Sequence, residues 1–249
     1  MNRINIPQLN EDLAEFLGIC FGDGCLSVNT NKHDYFIQIV ANSINEFEYL
    51  RFHVSLLIEK LFGLKIEVRK QITNTIVLSK RSKQLIELLN GYGMPIGKKY
   101  KLNIPDCIIN SNELSLAFVR GLFDTDGTLT FKRTYYPAIS ISSRCKEFLA
   151  EVRNILLKNN FRIGKVIEEY TVLNNRKFIK YRIFLYGRYN LERWFSIIGT
   201  NNPKNVSKYK KSRLRDLHPQ PLPNFIGDCR ATAKQQTHLQ CSPLARKKK

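Results

Sequence analysis

Leu13–Val28 reads LAEFLGICFGDGCLSV, and Leu116–Phe131 reads LAFVRGLFDTDGTLTF. Laid over each other, the two stretches share an opening Leu-Ala, a glycine at Gly18 and Gly121, and an Asp-Gly pair at Asp23-Gly24 and Asp126-Gly127. Each ends in a short alternation that begins a strand. The offset of 103 residues is far longer than a solenoid repeat and matches the length of a small domain, so one fold is written twice in one chain.

Leu13, Phe16, Leu17 and Cys20, and in the twin Leu116, Val119, Leu122 and Phe123, recur at helical spacing. Gly18 and Gly22 stand four apart, as do Gly121 and Thr125. Small residues at that spacing let two helix backbones approach closely. Gly24 and Gly127 are expected to end these helices in left-handed caps. Helices packed through those faces would bring Asp23 and Asp126 out side by side at their C-terminal ends. There each carboxylate is opposed by the helix dipole and by its like-charged twin. A divalent cation would relieve both penalties, and hard oxygen ligands suit Mg²⁺. A single Asp-Gly at a helix end is most simply a turn; two at matched positions favour a site.

The pair of motifs resembles the LAGLIDADG homing endonucleases in their single-chain, two-motif form. The motif letters fall on Phe16-Leu17-Gly18-Ile19-Cys20-Phe21-Gly22-Asp23-Gly24 and on Val119-Arg120-Gly121-Leu122-Phe123-Asp124-Thr125-Asp126-Gly127. The eighth position, the family's metal-binding acid, is Asp in both. Cys20 and Phe21 replace the commoner Ile-Asp, and Arg120 is an unusual residue for a helix interface. Asp124 has no acidic counterpart, since Phe21 stands in its place; it is read as a helix-end partner for a basic residue.

Element signals extend the match. In the first repeat they give the motif helix, strands at 26–29 and 35–42, a long helix at 46–62 closed by Gly63, strands at 64–69 and 75–79, and a helix at 82–90. The second gives a helix at 112–125, strands at 128–132 and 138–142, a helix at 145–159, strands at 163–171 and 177–186, and a helix at 189–198. The fold class is therefore α+β, two pseudo-twofold-related αββαββα repeats forming a β-sheet saddle. The domains are 1–93, a linker at 94–111, 112–215, and a basic, proline-containing tail at 216–249 expected to be disordered.

Charge agrees. Lys and Arg outnumber Asp and Glu by 40 to 21, and the surplus is uneven: 13 basic and 11 acidic residues in 1–110, but 21 and 8 in 111–215. Such a surplus implies a polyanionic partner, usually nucleic acid. Charge alone fits a ribosomal protein equally well, and the duplicated acidic motif decides between them. The six cysteines form neither a CxxC pair nor a disulfide-like framework, and Cys20 and Cys145 read as small core residues. Met1–Asn10 lacks an apolar run, and no stretch reaches membrane-spanning length, so an intracellular protein of a reducing compartment is expected. In the tail, His218, Cys229, His238 and Cys241 are zinc-ligand types at spacings that fit no standard site.

The strands' outward faces are where a duplex would be read. Ser27, Asn29, Lys65, Arg69, Thr128, Thr130, Lys132, Ser140, Lys177, Lys180 and Arg182 alternate with apolar residues and suit phosphates and base edges in the major groove. For any one of them a polar, solvated sheet face explains as much. Basic groups that stabilise charge on a scissile phosphate are expected after each third helix. The segments Gly93–Lys99 and Gly199–Lys204 occupy equivalent places there, which nominates Lys98 and Lys204, with Lys99 and Arg144 as rivals.

The resemblance implies a monomeric, site-specific double-strand DNA endonuclease with a long, non-palindromic target. Asp23 and Asp126, with the carbonyls of Gly22 and Thr125, would hold two or more Mg²⁺ ions, replaceable by Mn²⁺. Cleavage across the minor groove would leave short 3′ overhangs. A free-standing Met1 and the lack of a C-terminal His-Asn pair favour an intron-encoded protein over an intein. Two alternatives share the scaffold: an RNA maturase bound to its host intron RNA, and a catalytically silent DNA-binding regulator.

Overall fold

In the computed structural model, residues 4–71, 74–132 and 136–217 are described. Thr73, between the strands expected at 64–69 and 75–79, the tail from His218 with its cysteines and histidines, and the side chain of Lys132 lie outside them.

Helix α1 (Glu11–Asp23) starts where Asn10 accepts the N–H of Leu13, with Glu11 and Asp12 in the first turn favouring the positive end of the helix dipole. Helix α6 (Asn112–Asp126) starts the same way, with Ser111 accepting from Leu114 and Glu113 in the first turn. The two helices cross in the centre of the molecule. A Cβ on Gly18 would lie 2.1 Å from the carbonyl oxygen of Phe118, and one on Gly121 would lie 2.1 Å from that of Glu15. The contact is reciprocal, backbone on backbone, as the duplicated glycines require. Around the crossing Phe21 packs edge-on against Phe118 and stacks on Phe148, so the cores of the two repeats are continuous.

Each motif helix feeds a four-stranded antiparallel sheet. The first comprises β1 (Gly24–Asn29), β2 (Asp34–Asn42), β3 (Val68–Lys70) and β4 (Thr75–Arg81), in the order β1-β2-β4-β3. The second comprises β5 (Gly127–Lys132), β6 (Tyr136–Ser143), β7 (Ile167–Leu173) and β8 (Arg176–Tyr186), in the order β5-β6-β8-β7. The matching order makes the fold an α+β pair of repeats, as the sequence pattern indicates. Leu26, Ile37, Ile39, Ile76 and Leu78 turn inward in the first sheet, and Leu129, Ile139, Ile141, Ile183 and Leu185 in the second.

Between the strands of the first repeat runs one continuous helical stretch made of α2 (Phe47–Tyr49), a π-helical segment (Leu50–Val54) and α3 (Ser55–Phe62), closed by Gly63 at φ 67°. Helix α4 (Lys83–Gly91) is capped by Ser82. The second repeat has α7 (Lys146–Lys158) and α8 (Arg188–Ile197) in the equivalent places. Two helices were not expected: the short α5 (Asp106–Ile109) in the linker, and α9 (Pro203–Leu217) after the second repeat's last strand.

Three local expectations are corrected. Gly24 and Gly127 are extended, at φ −73° and −96°, not left-handed. They are glycines for space: a Cβ on Gly24 would lie 2.6 Å from the Cys20 carbonyl oxygen, and one on Gly127 would lie 2.3 Å from that of Phe123. The third strand begins at Val68, so Lys65 lies before it, in a segment anchored by buried Leu64, and faces Glu59 at 3.6 Å. The seventh begins at Ile167, Ile163 making only an isolated bridge to Leu185.

Candidate functional site

Asp23 and Asp126 are the last residues of the crossed helices α1 and α6. A Cβ on Gly22 would lie 3.5 Å from an Asp126 carboxylate oxygen, so the closely packed seam continues to the acids themselves. Neither aspartate has a hydrogen-bond or ion-pair partner among the described residues. Burial pushes Asp23 up to about 7, with Asp126 and Glu46 adding repulsion and Lys99 and Lys204 partly offsetting it. Burial likewise pushes Asp126 to about 6, partly offset by Lys99. Two half-buried carboxylates at neighbouring helix ends, neither with an ion-pair partner among the described residues, form a site electrostatically disposed to bind a cation.

The donor set fits a hard divalent ion: carboxylate oxygens from both repeats, with room for water and phosphate oxygens. It is a sparse set, because no group of three or more His, Cys, Asp or Glu side chains gathers among the described residues. The Gly22 carbonyl, one of the expected ligands, accepts a hydrogen bond from Lys99. Thr125 turns its hydroxyl back onto the carbonyls of Gly121 and Leu122.

Lys99, not Lys98, reaches this site. Its ammonium donates to the carbonyls of Cys20, Phe21 and Gly22 at 2.9, 3.0 and 2.5 Å and so closes the C-terminus of α1, where a cation complements the dipole. Burial pulls its pKa down, and the nearby Asp126 carboxylate opposes that. Lys98 is exposed, its ammonium 5.8 Å from the centre of the Tyr100 ring. The Gly97 N–H donates to Leu26 at 2.7 Å, and this fixes the register that turns Lys99 inward.

An open cleft beside Asp126 is lined by Gly22, Lys99, Ser142, Arg144 and Lys180, among others. Arg144 therefore stands beside Asp126, at the end of β6. On the Asp23 side, Lys204 in the first turn of α9 crosses to Glu46 of the first repeat at 2.8 Å. Lys208, one turn on, donates to the Leu129 carbonyl at 2.9 Å.

The sheet registers sort the remaining residues. Ser27 pairs with Phe36 and then Arg81; Arg69 pairs with Val77; Asn29 pairs with Asp34; these lie on the outward face of the first sheet. Thr128, Ser140 and Phe184 form one outward row of the second, and Thr130, Ala138 and Tyr186 another. Arg182 and Lys180 share that face and approach Glu169 at 3.5 and 3.6 Å. Lys177 does not: it has the parity of buried Ile183 and Leu185, and it lies over Tyr170 on the opposite face of a protruding ribbon. An odd offset along a strand reverses the side, and the mixed composition of this hairpin hid it.

Behind the aspartates lies a polar hub that the sequence reading missed. Glu15 is nearly fully buried and receives His53 at 2.6 Å, Arg120 at 2.7 Å and the Asn201 amide at 2.7 Å. Burial alone would raise its pKa; the His53 hydrogen bond and the Arg120 charge outweigh that and hold it below the usual carboxylate value. The π-helical segment carries His53 to this point. A signal was present: Glu15 and Arg120 each replace a residue that is apolar in the other copy, Phe118 and Leu17. Asp124, expected to meet a basic residue, instead accepts from the Thr200 hydroxyl and the Asn201 N–H.

Comparison with known proteins agrees with this geometry. Residues 113–199 match the family described as a LAGLIDADG-like domain. A curated relative, the replication factor C small subunit of Methanocaldococcus jannaschii, is 30% identical over 216 residues, covering 86% of this chain and 11% of its own. The chain spans less than a fifth of the length of the curated relatives it matches. The homing endonuclease I-DmoI, solved with DNA and Ca, superposes with a TM-score of 0.55 at 18% identity, over 81% of this chain and 97% of that one. The N-terminal LAGLIDADG domain of DUF199/WhiA superposes with a TM-score of 0.50 at 20% identity, over 78% and 87%.

Proposed function

Taking this chain as a LAGLIDADG protein built from two repeats, we propose that it is a site-specific double-strand DNA endonuclease that hydrolyses phosphodiester bonds with Mg²⁺. The observation that carries the reading is the pair of half-buried, unpartnered carboxylates, Asp23 and Asp126, at the meeting ends of α1 and α6 beside a basic cleft. A silent DNA-binding scaffold has no need of such a pair, which is costly to hold together, partly out of water, without a cation.

Asp23 and Asp126 would hold the metal between the repeats, and both must be ionised to do so. Bound there, Mg²⁺ would lower the pKa of water and stabilise the leaving 3′ oxygen. The outward rows of the two sheets would orient the duplex, with Thr128, Thr130, Ser140, Ser27 and Asn29 facing it and Arg69, Arg182 and Lys180 on its phosphates. Arg144 and Lys180 flank Asp126, where they would meet the charge of the scissile phosphate. Lys99 would keep α1's end, and with it Asp23, in place while adding positive charge to the seam. Lys204 would serve the Asp23 side. The unlike halves suit a non-palindromic target read by one chain.

The test is cleavage of a DNA library carrying randomised sites, in Mg²⁺. Double-strand cutting at a defined site is expected; tight binding to duplex with no cutting in Mg²⁺ or Mn²⁺ would overturn the reading.

A further inference from the structure

The segment leading into α9 is held by the second motif itself. One Asp124 carboxylate oxygen accepts the Thr200 hydroxyl, and the other accepts the Asn201 N–H at 2.7 Å. The Asp124 carbonyl accepts the Asn202 side-chain amide at 2.9 Å. Asn202 is fully buried, and its own side-chain oxygen accepts the N–H of Lys204 at 3.1 Å. The residue that Asp124 grips is thus the residue that caps the helix carrying Lys204. From the other repeat, Glu15 takes the Asn201 amide. A helix start fastened on both sides of the seam delivers the Lys204 ammonium to Glu46.

Among the described residues, the first repeat shows no such device. Phe21 stands where Asp124 stands, and the segment equivalent to 199–202 is held by the Gly97–Leu26 hydrogen bond and the Leu26–Ile96 bridge. Its lysine, Lys99, is tied directly to α1's carbonyls and needs no anchored helix behind it.

We propose that Asp124 is a positioning residue for Lys204: through Thr200, Asn201 and Asn202 it fixes the start of α9 and sets Lys204 beside Glu46, on the Asp23 side of the site. The role rests on the nuclease reading for its consequence, which is that Asp124 governs the cutting of one strand and not the other.

Its first test needs neither DNA nor metal. The full chain is acylated with an amine-reactive ester and each lysine's rate is read by peptide mass mapping. In Asp124→Asn, which removes the charge and trades one of the two acceptor oxygens for a donor, Lys204 should label several-fold faster than in wild type while Lys99 is unchanged. Thr200→Val, which removes one hydroxyl and leaves the carboxylate, should show the same change in smaller degree and keeps the test valid if Asp124→Asn fails to fold. An unchanged Lys204 rate in the folded variants overturns the proposal. The second test is strand-resolved cleavage. Asp124→Asn should slow one strand by at least ten-fold, leave the other near wild type, and add nothing in a Lys204→Ala background. Equal slowing of both strands, or full additivity with Lys204→Ala, overturns it. If wild type cuts no site, the nuclease reading fails and the labelling result still decides the positioning role.

Discussion

The two repeats share a plan and divide the work unequally. Their glycines are interchangeable in function: Gly18 and Gly121 meet the opposite backbone at the same 2.1 Å. Their aspartates are equally placed at helix ends. What surrounds the aspartates differs. The Asp126 side has Lys99, Arg144 and Lys180 around an open cleft, while the Asp23 side has Glu46 already paired with Lys204. The second sheet also extends its last two strands into a ribbon exposed on both faces, with no counterpart among the described residues of the first. Symmetry is kept where two backbones must touch and abandoned around the aspartates and along the ribbon, where no such steric contact constrains the chain.

The largest effect should come from breaking the shared part. Gly18→Ala or Gly121→Ala puts a methyl group into a backbone carbonyl that cannot move aside, and should cost about 3 kcal/mol or more. Thermal unfolding measures it, and both variants should suffer alike; a large loss for one only would show that the crossing is not reciprocal. Next is Arg120→Ala, which strips Glu15 of its permanent cation and leaves a buried carboxylate on His53 and Asn201. A loss of about 2–3 kcal/mol is expected by denaturant titration.

The aspartates themselves give a pH signature. Their pKa values rise from 3.8 to about 7 and about 6 in the metal-free fold, so the native state holds protons that the unfolded chain has released. The stability they contribute is complete below about 4 and is lost as pH rises through 6 to 7. The melting temperature of metal-free wild type, compared with Asp23→Asn/Asp126→Asn, should therefore fall across that window. Ca²⁺ should restore it at pH 8 and do little at pH 5, where protonated carboxylates hold no cation. A difference between the two proteins that is flat with pH would contradict the raised pKa values of the pair.

The smallest effect separates the faces of the second sheet. Arg182→Ala should lower the salt slope of DNA binding by about 1, as loss of one phosphate contact does. Lys177→Ala, on the other side of the ribbon, should leave it unchanged. Filter binding over a salt series reads both.

Legibility in the sequence follows the range of the forces involved. The duplicated motif, the order of strands and helices, and the two aspartates were readable because local periodicity and small-residue spacing specify them. The Gly63 cap was readable for the same reason. Lys99 was not separable from Lys98, because neighbouring lysines in a loop are told apart by one hydrogen bond, Gly97 to Leu26, between residues 71 positions apart. Lys177 was misplaced because exposure on both faces erases the alternation that reports which side is which. Helix α9 was passed over for its charge: lysine and arginine dominate it, and what orders its start is the Asp124–Asn202 contact. Glu46 was taken only as the start of a long helix, and its partner Lys204 lies 158 residues away.

The central claim is that the paired aspartates make a metal-dependent nuclease. Its most direct test runs wild type and Asp126→Asn side by side on a target-bearing plasmid, in Mg²⁺ and in Ca²⁺, with DNA affinity measured in parallel. Wild type should cut both strands in Mg²⁺, and Asp126→Asn should bind as well yet cut at least about 10²–10³-fold more slowly. Cutting by Asp126→Asn at the wild-type rate would contradict it.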